Sequence, residues 1–132
     1  MIQDLNNYFT DIYFNLHPVQ EENISHQSIR ILQMVQKKKN IMIRDIANEL
    51  MISHNTASEH VKKLVRNGWL YKERSENDQR KVFLHLTDIG SSIVKKHTEL
   101  DDNKLRIVLS KLTATERAKV IEGFKLLSEV SK

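Results

Sequence analysis

A chain of 132 residues, 39% hydrophobic and 29% charged, is long enough to bury one real core and too short for a second, so a separate catalytic module is not expected. With no cysteine it offers no disulfide framework, thiolate metal site or thiol redox sensor, and no apolar run approaches the roughly 20 residues needed to span a bilayer. The formal net charge is only +4, but residues 59–81 hold seven Lys or Arg against four acids, so most of the excess sits in one stretch.

Three Gly and one Pro describe a mostly helical protein, because these residues break helices and crowd into loops. The start, residues 1–8, lacks the basic-then-apolar order of a signal peptide, and the expected compartment is the cytoplasm. Leu5, Phe9, Ile12 and Leu16 fall at helical 4-3-4 spacing, and Tyr8, Tyr13 and Phe14 widen the apolar stripe until Pro18 stops the helix. This opening helix has more apolar surface than one partner would cover. Ser25 is an N-cap for a second helix to about residue 38, with Ile29, Leu32 and Val35 inward and Lys37, Lys38 and Lys39 at its C-terminal end, where cations suit the helix dipole.

Residues 44–50 form a short helix with Ile46, Ala47 and Leu50 on one side, and Met51, Ile52 and Ser53 make a turn. A further helix starts at the N-cap Ser53, buries Ala57, Val61 and Leu64, and ends at Gly68 as a left-handed cap. Residues 69–74 and 81–86 are rich in aromatic and branched side chains and read as two antiparallel strands joined by a charged loop, 75–80. Thr87 caps one long helix to about residue 109, and Thr113 with Glu116 is a capping-box signature for the last, which carries Val120, Ile121, Phe124, Leu127 and Val130.

A helix pair followed by a hairpin is a helix-turn-helix with a wing. Its second helix would present N-terminal, solvent-facing side chains to base edges in the major groove, here His54, Asn55, Thr56, Ser58, Glu59 and Lys62. Asn55 can bond adenine, Thr56 can touch a thymine methyl and Glu59 can accept from cytosine, while Ser53, Ser58, Lys62 and Lys63 suit phosphates. In the wing, Arg80 can reach the narrow minor groove with Asp78 holding its guanidinium, and Lys72, Arg74 and Lys81 would lie near phosphates. The competing reading is a soluble charged hairpin beside an ordinary surface helix.

At this point the sequence resembles the MarR family of winged-helix regulators, through Arg74, Asp78-x-Arg80 and Leu86-Thr87-x-x-Gly90, supported by Asp45-Ile46-Ala47-x-x-Leu50, Ile52-Ser53 and Leu64-Val65-x-x-Gly68-Trp69-Leu70. The resemblance implies a homodimer built from N- and C-terminal helices, a recognition helix in the major groove and a minor-groove arginine at Arg80. It also implies a small lipophilic or aromatic effector, for which Tyr13, Phe14, His17, His26 and Arg30 are the candidate contacts. Two positions depart from the family pattern. Met42 stands where a capping Thr is frequent, leaving Asn40 or the backbone to satisfy that helix end, and Glu59 stands where a basic residue is frequent, so it either reads cytosine or pairs with Lys62 or Lys63.

His97 and Asp101, four apart near Glu99 and Asp102, are poor zinc spacing and read as a solvated helix face, so no metal is expected. No Gly-rich phosphate loop or nucleophile motif occurs, so neither a cofactor nor an enzyme activity is expected. The expected protein is a single mainly α domain with a β-hairpin wing, residues 25–91 forming the winged helix-turn-helix and residues 1–24 and 92–132 the dimerisation helices. Its expected role is a homodimeric double-stranded DNA-binding transcription regulator, a repressor on a palindromic operator. The alternatives are a winged-helix protein-interaction module and a ligand sensor without a direct DNA role.

Overall fold

The computed structural model describes residues 1–20 and 22–132; residue 21, within the expected helical stretch 1–24, lies outside the described residues. The order is α1 (Ile2–Leu16), α2 (His26–Lys37), α3 (Ile43–Leu50), α4 (His54–Arg66), β1 (Leu70–Arg74), β2 (Val82–Leu86), α5 (Asp88–Thr98), α6 (Asp102–Ser110) and α7 (Ala114–Val130). The strands pair antiparallel, with Leu70 opposite Leu86 and Arg74 opposite Val82. The chain divides into two compact units, one of Val19–Glu99 and one of Met1–Pro18 with Leu100–Lys132.

The Val19–Glu99 unit is a winged helix. Its core joins Ile31 and Leu32 of α2, Ile46 and Ala47 of α3, Ala57, Val61 and Leu64 of α4, Leu70 and Leu84 of the hairpin, and Ile93 and Val94 of α5. The spacing of these residues at three and four along each helix is what makes one face of each apolar. Short-range chemistry sets most boundaries. The hydroxyls of Ser25, Ser53 and Thr87 accept from the backbone N–H groups of Ser28, Thr56 and Gly90, satisfying donors that a helix start otherwise leaves orphaned. Gly68, with φ +80°, follows α4 in the left-handed conformation that favours glycine. Met51 takes the same conformation after α3, at φ 56°, with its side chain in solvent.

The hairpin is fastened at two places. The Leu84 N–H donates to the Ile41 carbonyl at 2.8 Å, so β2 is tied on its far edge to the residues that lead into α3. At its base the Thr87 hydroxyl donates to the Gly68 carbonyl at 2.6 Å and the Thr87 N–H to the Trp69 carbonyl at 3.1 Å. Gly90 permits this closure: a Cβ there would lie 2.0 Å from the Trp69 carbonyl oxygen. The three residues of the Leu-Thr-x-x-Gly motif thus join the end of α4, the hairpin and the start of α5 at one point.

One expectation is corrected. The single long helix after Thr87 is two helices, because Asp101 caps α6 by accepting from the Lys104 N–H at 2.9 Å while its own N–H donates to the Leu16 carbonyl at 2.8 Å. At the start of α3 the backbone supplies one bond, the Asp45 N–H donating to the Met42 carbonyl at 3.0 Å, as expected of one of the two alternatives. The Asp45 carboxylate reaches back to accept from the Met42 N–H at 2.8 Å. The Val19–Glu99 unit takes in residues on both sides of 25–91, with α5 packed on α2 and β2.

The Met1–Pro18 and Leu100–Lys132 unit contains α1, α6 and α7. Besides the Asp101 N–H, the Lys104 ammonium donates to the His17 carbonyl at 3.0 Å, so α6 satisfies the C-terminal end of α1. Arg117 donates to the Leu109 and Leu112 carbonyls and does the same for α6. The capping box of Thr113 and Glu116 closes both ways, at 2.9 and 3.1 Å. Between α1 and α7 runs an apolar groove of about 460 Å³ with Leu5, Phe9, Ile12, Phe124 and Leu127 on its walls. No residue of α7 is buried. Among the described residues no helix is long and apolar enough to cross a membrane.

Candidate nucleic-acid interface

Helix α4 is split lengthwise by its period. Ala57, Val61 and Leu64 are buried, which leaves His54, Asn55, Thr56, Glu59, Lys62 and Lys63 exposed on the other side, with Ser58 half-buried at the border. Ser53 is committed locally, since its hydroxyl donates to the Thr56 hydroxyl at 2.8 Å and accepts from the Thr56 N–H at 3.1 Å. Glu59 takes one of its two expected roles, pairing with Lys62 at 3.3 Å on the solvent face. An exposed pair of this kind is weak, on the order of 0.3–0.5 kcal/mol, so it orients Lys62 more than it stabilises the helix.

The wing loop is shaped by its own polar groups. One oxygen of Asp78 accepts from the Arg80 N–H at 3.0 Å and from the Arg80 Nε at 3.2 Å. These bonds, the backbone one foremost, hold the Asp78 carboxyl below its ordinary range, opposed by desolvation and helped by Lys81. The Asp78 N–H donates to the Ser75 hydroxyl, and the Ser75 and Lys81 backbones close the loop at 2.9 Å. Arg80 is left 93% exposed at the tip, its guanidinium held in direction by Asp78. The Arg74 guanidinium donates to the Gln79 carbonyl and braces the loop from the first strand.

The structure gathers part of the expected set. His54, Asp78, Arg80 and Lys81 line one cleft of about 450 Å³, and Lys72 and Arg74 line a smaller recess of about 350 Å³ beside Ile43 and Val82. Arg44, on the first turn of α3, lines the first cleft too and was missed from sequence; only its exposed basic character hinted at it. Of the five candidate effector residues, Tyr13, Phe14 and His17 belong to one unit and His26 and Arg30 to the other. Tyr13 and His17 stack at 5.5 Å, and the His17 Nδ1 lies 3.0 Å from the Tyr13 and Phe14 carbonyls. His97 does not lie on the solvated helix face expected of it. It is nearly buried, with its Nε2 3.7 Å from a Glu22 oxygen whose partner oxygen meets Lys96 at 3.4 Å. Among the described residues no group of three or more His, Asp or Glu could hold a metal ion.

Comparison with known proteins places these features. The chain is 26% identical over 91 residues to the HTH-type transcriptional regulator MgrA of Staphylococcus aureus, covering 69% of this chain and 58% of MgrA. Among solved structures it is similar to the transcriptional regulator Tm0710 of Thermotoga maritima, with a TM-score of 0.62 and 24% identity over 81% of this chain and 75% of that one. It is also similar to Streptococcus pneumoniae FabT in complex with DNA, with a TM-score of 0.60 and 25% identity over 98% and 96% of the two chains. The family model for the transcriptional regulator SarA/Rot matches residues 17–97, which takes in all of α2 to β2 and nearly all of α5. With that match over a MarR-type winged helix, the chain belongs to the SarA/Rot family of transcriptional regulators.

Proposed function

We propose that this protein is a sequence-specific double-stranded DNA-binding regulator that acts in the cytoplasm as a homodimer on a palindromic operator, as a repressor. The observation that carries the reading is the pairing of an exposed α4 face, with His54, Asn55 and Thr56 on its first turn, with a wing whose Arg80 is aimed by Asp78 and otherwise uncommitted. A recognition helix reads base edges and a guanidinium suits the negative potential of a narrow minor groove, so the two elements ask for one duplex. That FabT, similar along nearly its whole length, was solved in complex with DNA supports the reading. The homodimer is supported by the α1–α7 groove, on whose walls Leu5, Phe9, Phe124 and Leu127 are each more than half exposed.

Titration of a duplex selected from a random pool, and of a scrambled duplex, at several salt concentrations tests the proposal. Affinity for both should fall steeply with salt, because phosphate contacts release counterions. Arg80→Ala should lower the slope of log K against log salt by about 1 per subunit. Asn55→Ala should leave the slope nearly unchanged and cost about 1–3 kcal/mol per half-site on the selected duplex alone. If the protein binds no duplex and instead captures a protein partner with weak salt dependence, the interaction-module reading replaces this one.

A further inference from the structure

We infer that the cleft between the first turns of α3 and α4 and the wing seats a phosphodiester of the DNA backbone, and that Arg44 is a phosphate contact. The inference rests on the DNA-binding reading above. If α4 enters the major groove while Arg80 enters the adjoining minor groove, one sugar-phosphate strand separates the two grooves and must pass between the two elements. What the fold places between them is the cleft of about 450 Å³, with His54 on the α4 side, Arg80 and Lys81 on the wing side and Arg44 on its α3 wall.

The lining fits that ligand. Asp78 is its one carboxylate, and it already accepts twice from Arg80, so the charge of Arg44 has no acidic partner in the lining. Among the described residues no hydrogen bond or ion pair engages the Arg44 guanidinium. Met42, Ile43 and Val82 supply the apolar part of its lining. A base edge presents donors and acceptors together, whereas a phosphodiester presents only acceptors and a negative charge, and this cleft offers donors and positive charge. Arg44 would therefore add affinity without sequence preference.

The test compares the full-length parent with Arg44→Ala, Arg44→Lys and, as a control that removes a positive charge from the other unit, Lys111→Ala. Binding is read by fluorescence anisotropy on the selected and scrambled duplexes at several salt concentrations. Arg44→Ala should lower the salt slope by about 1 per subunit and weaken both duplexes by the same factor, roughly tenfold or more near 0.1 M salt. Arg44→Lys should restore the slope, and Lys111→Ala should leave it at the parent value. A scan of single neutral methylphosphonate linkages should then find a position that weakens the parent but not Arg44→Ala. If Arg44→Ala keeps the parent slope, or no linkage shows that coupling, the cleft is not a phosphate seat, even when Arg80→Ala still loses its contact. A parent with no salt-dependent duplex affinity would instead remove the DNA-binding reading, and this inference with it.

Discussion

Gly90 illustrates how one position can hold several elements together. Its missing Cβ lets α5 begin against the Trp69 carbonyl, whose oxygen a Cβ would meet at 2.0 Å, and that approach lets Thr87 bond both Gly68 and Trp69. Gly90→Ala should destabilise the protein by at least about 2 kcal/mol, since backbone and not a flexible side chain would have to move. Chemical denaturation measures this, and a midpoint equal to the parent's would show that the junction is not closed as described. The caps were legible in sequence because Ser25, Ser53, Thr87 and Thr113 act on N–H groups within three residues of themselves. Arg44 was not, because its relevance comes from a wing more than thirty residues away. Arg74 was legible as basic but not as a brace, since that role depends on the path of the loop back to Gln79.

At the scale of elements, the helix-turn-helix and wing followed from periodicity, with each end within a residue or two of its expected place. The failure came at 99–101. There helical periodicity runs on through the chain, and it gave no warning that Asp101 would leave the helix to cap the next one and bond the end of α1. Asp101→Ala should cost about 1 kcal/mol, a few degrees in Tm, while Asp101→Asn and Asp101→Ser, which keep an acceptor, should cost less. Equal melting of all four proteins would mean that the break has another cause. On α5, the contact of Lys96 and His97 with Glu22 ties the helix to the segment ahead of α2, a pairing across some seventy residues that no local pattern announces.

For the whole molecule, the terminal helices pose a question of coverage. Leu5, Phe9, Ile121, Phe124 and Leu127 are each more than half exposed in a single chain. A stable interface buries about 1,200 Å² or more, and aromatic side chains contribute about 150–250 Å² each, so these positions suffice for its centre if a second copy covers them. Phe9→Lys with Phe124→Lys should yield monomers by analytical ultracentrifugation and reduce operator affinity sharply, with the winged-helix unit still folded by circular dichroism. A double variant that stays dimeric would place the interface elsewhere.

The wing is bonded to the chain ahead of α3 through Leu84 and Ile41, and to the end of α4 through Thr87. A hairpin held on both sides keeps a fixed offset between Arg80 and the recognition helix. Under the DNA-binding reading, such a protein cannot swing its wing to meet a duplex whose grooves are differently spaced, and the duplex must do the bending. The stiffness of base-pair steps that no side chain touches then enters the affinity, so part of the operator's identity is written in how easily the DNA deforms.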